Sequence, residues 1–238
     1  MSFFSDLWKG HVFAFERPLE RLPNAAAITR FILAFLACGV ALLWLGRQAF
    51  DQSTLADPRV ERLALVAALL AISLVVAKVL VGGHWAHLGL RPIAQWTRRE
   101  VLYAAQVIPA AMVVFYLMFR PLFLQLIESN GVVGFAAYNI LFGLLWGFYQ
   151  EFAYRGLLQN ALASWMGPVA GVILANLVFT FGPLHASLYA GAIEDPSRAV
   201  VFLPTFAIGL FFGIVYQRSG NLWLPAIFHG LWPLNMTG

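Results

Sequence analysis

Glu151 and Arg155 stand four residues apart in an apolar run that carries no other charge between residues 132 and 163. Read as a helix, the two side chains share one face. In water they would form a modest surface pair. Inside a bilayer each charge costs roughly 2.5–3.5 kcal/mol at the centre of a span, so ionisable groups held there are functional candidates. Two histidines follow in apolar surroundings, His185 and His229. Each alone reads equally well as a hydrogen-bonded packing residue. Together with a carboxylate and a guanidinium they form a set with three uses. It can polarise a water and cleave an acyl bond. It can bind a metal through Glu, His and His. It can relay protons or hold a charged substrate in a transporter.

The elements that must position this set are membrane helices. Of the 238 residues, 61% are hydrophobic and 11% charged, against about 25% charged in a soluble domain. Apolar runs near the length of a helical crossing recur at 26–45, 63–81, 101–119, 132–150 (continuing as helix to 163), 168–183, 199–216 and 222–234, the last of them short. A further apolar piece at 121–127 reads as re-entrant or interfacial. Residues 1–23 mix Phe3, Phe4, Leu7 and Trp8 with Asp6, Lys9 and Arg17, the composition of an interfacial helix rather than a cleavable signal. The expected fold is therefore all-α: a polytopic membrane bundle of about seven transmembrane helices plus an N-terminal interfacial helix. Its expected parts are an interfacial segment over 1–24, N-terminal transmembrane helices over 25–130 and a core over 131–238, all in one integrated membrane domain.

Net charge is +4, but the basic residues fall in loops between spans, where they act as topology signals. No basic run is interleaved with aromatics, so nucleic acid is excluded as a partner. With seven spans, Lys9, Arg17, Arg21, Arg91, Arg98, Arg99 and Arg218 collect on one side. Arg47, Arg59, Arg62, Arg120 and Arg198 collect on the other, which favours a cytoplasmic N-terminus. Cys38 is the single cysteine and forms no internal disulfide. The pairs Gly143/Gly147 and Gly209/Gly213 allow close helix approach and read as packing.

Three motifs appear in order: Gln150-Glu151 with Arg155-Gly156, then Phe181 with His185, then Arg218-Ser219-Gly220-Asn221-Leu222-Trp223-Leu224-Pro225 with His229. From about residue 132 to 235 the chain closely resembles the CPBP family, the CAAX-protease and bacteriocin-processing (Abi) glutamic-type intramembrane endopeptidases. The resemblance implies hydrolysis of a peptide bond in a membrane-enclosed cavity, without metal or cofactor. Carried over by position, it implies a base region at Gln150/Glu151, His185 as water partner, His229 as oxyanion donor, and Arg155 orienting the carboxylate. Phe181 belongs to the second motif. The implied partners are the lipid bilayer and a membrane protein, lipidated tail or leader peptide as substrate. The implied location is a bacterial inner membrane.

The chain departs from the family pattern twice. The first Glu of the motif pair is Gln150, and an amide cannot take a proton from water. Either Glu151 is the working base, or the protein is catalytically silent and serves as a membrane scaffold, chaperone or immunity factor, or a glutamate has been replaced by design. The family's Asn four residues after the last His is Pro233 here, and Asn235 lies six after. A chain bent by Pro233 would be needed to bring Asn235 to the site. His84 and His87 read as interfacial loop residues. No His-Glu-xx-His occurs, which disfavours a zinc protease, and no Gly-x-Ser-x-Gly, which disfavours a serine hydrolase.

Overall fold

The computed structural model describes residues 13–51 and 58–232. Among them every regular element is helical. Helix α1 (Ala25–Asp51) packs antiparallel along α2 (Pro58–Val81). A 3₁₀ turn, Gly82–Leu88, ends at Gly89 with φ 72°. The next span starts at α3 (Arg98–Leu102), whose N-terminus carries a capping box: Thr97 accepts from the Glu100 amide and Glu100 accepts from the Thr97 amide. It widens into a π turn, Tyr103–Val107, and continues as α4 (Ile108–Met118).

Helix α5 (Arg120–Gly134) breaks at Gly131, where φ is 68° and ψ 165°. From there one long helix runs through a π turn (Phe135–Ile140), α6 (Leu141–Glu151), a second π turn (Phe152–Gln159) and α7 (Asn160–Met166). Gly167, at φ 92°, reverses the chain into α8 (Pro168–Phe181). After a 3₁₀ turn (Pro183–His185) come α9 (Ala186–Glu194), another 3₁₀ turn (Pro196–Val201), α10 (Phe202–Ser219) and α11 (Trp223–Gly230).

Among the described residues six helical stretches are long and apolar enough to cross a membrane: Ala25–Leu45, Arg59–Gln95, Arg98–Met118, Arg120–Met166, Pro168–His185 and Pro196–Ser219. About seven were expected. The difference is the last apolar run, where α11 has only 8 residues, about 12 Å of helix against a hydrocarbon core of about 30 Å. Its apolar character serves protein burial instead. Leu224, Ala226 and Phe228 are buried, and α11 lies chiefly against α6. The expected interfacial helix over 1–23 falls partly outside the described residues. From residue 14 the chain is an irregular strap, held by the Leu19 amide on the Gln217 carbonyl (3.0 Å) and the Leu22 amide on Ser164 Oγ (2.9 Å). Pro18 and Pro23 favour such a course over helix.

Large apolar side chains face outward along these spans, among them Val79, Leu117, Val133 and Leu203. That is the pattern of lipid-facing helices. The interior is different: every residue from Tyr149 to Ala161 is buried. The charged stretch is thus the most enclosed part of the bundle.

Candidate active site

The π turn Phe152–Gln159 begins directly after Glu151 and carries Arg155 and Gln159. Single-turn widenings of this kind recur at functional sites. Glu151, Arg155 and Gln159 are each no more than 1% exposed. Helix α10 receives this face with Gly209 and Gly213. Arg155 Nη2 donates to the Gly209 carbonyl (2.7 Å), and Gln159 Nε2 donates to the Gly213 carbonyl (2.9 Å). The two helices therefore match, residue for residue, at a spacing of four. A Cβ on Gly209 would meet Asn176 Oδ1 and lie 3.0 Å from Arg155 Nη2; one on Gly213 would lie 2.9 Å from Gln159 Oε1. Only glycine leaves room for the polar side chains.

The other Gly pair works on α11. A Cβ on Gly147 would run into the backbone of Gly230, and one on Gly230 would lie 2.7 Å from Leu144 Cα. Backbone meets backbone at this crossing, which brings the short helix and its His229 against the end of α6. There His229 Nδ1 and Glu151 Oε1 are 2.7 Å apart. A carboxylate only accepts, so with Glu151 ionised it is Nδ1 that carries the hydrogen. The other oxygen, Oε2, faces Arg155 Nε at 3.4 Å and makes no hydrogen bond. The carboxylate thus has a cation on one side, an imidazole on the other, and one acceptor position unfilled.

Phe179 is the hub of the site. Arg155 lies over its ring, 4.3 Å from the centroid, a cation–π contact. The rings of His185 and His229 meet the same ring edge-on, with centroids 5.0 and 5.7 Å away. Helix α8 stops at Gly182, where a Cβ would collide with the Val178 carbonyl oxygen. The 3₁₀ turn then folds His185 back, so that its Nδ1 lies 2.8 Å from the Phe179 carbonyl. A carbonyl only accepts, so Nδ1 carries the hydrogen, and the neutral ring of His185 presents a lone pair at Nε2. His185 is half-buried, less enclosed than Glu151. Among the described residues no three His, Cys, Asp or Glu side chains gather closely enough to hold a metal ion.

The structure brings Arg155, His185 and His229 around one aromatic ring, with Glu151 held between Arg155 and His229. Gln150 is buried beside them at the end of α6. Phe181 is not part of the cluster: it is half exposed and stacks on Phe202 at 5.6 Å. Asn235 lies outside the described residues. Several residues of the site were not read from the sequence. Asn176 is buried, donates through Nδ2 to the Phe206 carbonyl (2.9 Å), and points Oδ1 at Gly209 with no hydrogen-bond partner. Gln159 continues the polar face of Arg155. A signal for both existed, since an amide in an apolar span raises the same question as a charge.

Residues 132–234 match a family model described as type II CAAX prenyl endopeptidase Rce1-like. No curated protein and no solved structure matches. The matched region starts just after the break at Gly131 and runs past α11, so every member of the buried polar cluster falls within it. The CPBP resemblance carried by the three motifs is therefore borne out as a match: this is an integral membrane protein whose residues 132–234 match the Rce1-like family model.

Proposed function

We propose that this protein is a glutamic-type intramembrane endopeptidase that cleaves a peptide bond near the terminus of a membrane-associated protein or peptide. The observation that carries this reading is the buried Glu151–His229 bond beside Arg155, with the His185 ring against the same Phe179 ring as His229. A water between Glu151 Oε2 and His185 Nε2 is polarised by the two acceptors and attacks the scissile carbonyl carbon. Its proton passes to one of them, and the carbonyl oxygen takes the displaced electron pair. His229, protonated on both ring nitrogens and held through Nδ1, donates from Nε2 to that oxygen. Collapse returns the pair, breaks the C–N bond and delivers the proton to the leaving amine. Residues 131–238 form the catalytic core of one membrane domain, and the N-terminus faces the cytoplasm of a bacterial inner membrane.

A lipid-modified or strongly apolar substrate fits the surroundings. A cavity of about 670 Å³ lies between α2, the 91–96 segment, α6 and α11, lined by Leu74, Trp96, Leu144, Phe148, Trp223 and Ile227. Phe148 is one turn before Glu151, and Ile227 is two residues before His229. The walls suit a prenylated tail of the CAAX type.

Gln150 favours a second reading, a catalytically silent member that holds its membrane partner without cutting it. The protein in lipid nanodiscs, wild type and Gln150→Glu, would be incubated with a farnesylated CAAX peptide and with leader-type peptides, with products read by mass spectrometry. Cleavage by either protein supports the endopeptidase. Binding without product in both supports the silent reading and overturns the first.

A further inference from the structure

Helix 98–118 lies outside the matched region and carries no motif, yet beyond its capping Glu100 it buries Tyr103 and Gln106. Tyr103 is 0% and Gln106 3% exposed. The Tyr103 hydroxyl and both polar atoms of the Gln106 amide have no hydrogen-bond partner. A buried amide left wholly unpaired is costly, and native proteins keep few of them. Both residues stand on the π turn Tyr103–Val107.

The surroundings say where this face looks. Tyr103 packs in one cluster with Phe212, Leu224 and Phe228. The Phe212 ring is 4.8 Å from the His229 ring, and Phe228 is the residue before His229. Tyr103 is also within electrostatic reach of Glu151. Further along the helix, Phe115 meets Phe228 and Trp232 edge-on, with centroids 5.6 and 4.7 Å away. Gln106 stands on the same helix, between Tyr103 and Phe115. Across the site, Glu151 Oε2, Arg155 Nη1 and Asn176 Oδ1 are equally without hydrogen-bond partners.

We propose that Gln106 is a further catalytic residue, an oxyanion donor supplied by the N-terminal half of the chain, with the Tyr103 hydroxyl beside it. The proposal rests on the endopeptidase reading. As the water oxygen bonds to the carbonyl carbon, the carbonyl oxygen gains the electron pair, and the Gln106 Nε2–H donates to it alongside His229. When the C–N bond breaks, the pair returns and the amide is free again. Side-chain amides suit this role because they donate without changing protonation state.

The test is Gln106→Leu, with Gln106→Met as a second variant of similar volume, in nanodiscs. Thermal midpoint and kcat and KM on a fluorogenic farnesylated CAAX peptide are measured. Either substitution removes an unpaired polar group, so the midpoint should hold or rise while kcat falls about 10²–10³-fold and KM stays within about twofold. Unchanged kcat overturns the donor role and leaves the endopeptidase reading standing. A lower midpoint in both variants also overturns it, because the amide then has structural partners. No cleavage by wild type or by Gln150→Glu overturns the endopeptidase reading, and the donor role with it.

Discussion

His229 Nδ1 lies 2.7 Å from Glu151 Oε1, although 78 residues separate them in the chain and both are buried. A bond between an imidazole and a carboxylate in such an enclosed site is charge-assisted and strong. It depends on α11 reaching α6 through Gly147 and Gly230, so the pairing can be tested through the partners and through the crossing.

Glu151→Gln keeps the shape and removes the charge. Arg155 is then left buried with only the Gly209 carbonyl and the Phe179 ring. Breaking a buried pair in this way costs about 3–5 kcal/mol, whereas replacing both members by apolar residues is often near neutral. Thermal midpoints should therefore fall in Glu151→Gln and recover in Glu151→Leu/Arg155→Met. Cleavage should be absent from both. A double variant no more stable than the single one would show that the two charges are not coupled.

His185→Ala acts at a half-buried position whose bond is to a backbone carbonyl. The fold should survive, with a midpoint close to wild type. Loss of a general base should lower kcat by about 10²–10⁴. Full activity in both His185→Ala and Glu151→Ala would remove the basis for the proposed mechanism.

Gln150 separates three histories of the site. Where Gln150 is the natural residue of an active enzyme that works through Glu151, Gln150→Ala is milder than Glu151→Ala in a side-by-side cleavage assay. Where a glutamate has been replaced, Gln150→Glu raises the rate sharply. A silent protein responds to neither.

The glycine crossings predict opposite effects of one substitution at three places. Gly147→Ala pushes a methyl into the Gly230 backbone, and Gly209→Ala pushes one into Asn176 and Arg155. Overpacking of this kind costs about 1–3 kcal/mol. At Gly39, on α1, nothing lies within 4 Å of an added Cβ, so Gly39→Ala should be stabilising by about 0.5–1 kcal/mol through helix propensity. Thermal midpoints of the three variants in one detergent check the order.

The amino-acid sequence by itself determined the class of the fold and singled out the candidate reacting groups. Apolar runs near crossing length leave no alternative to membrane helices, because backbone polar groups in lipid must be paired within the segment. A glutamate, an arginine and two histidines stand out there because hydrocarbon penalises them. What the sequence left undecided was which of them touch. The run ending at Trp232 is as apolar as a short span, and only its packing on α6 distinguishes burial by protein from burial by lipid. By type and position Phe179 is one aromatic among many, and only the fold puts Arg155, His185 and His229 around its ring. Phe181, which the second motif includes, turned out to face Phe202. Gln106 and Asn176 carry a signal only as amides in apolar spans, one that barely disturbs a hydropathy profile. Such contacts depend on helix rotation and crossing. These follow from small residues on one helix meeting particular neighbours on another, a relation that no single stretch of sequence contains.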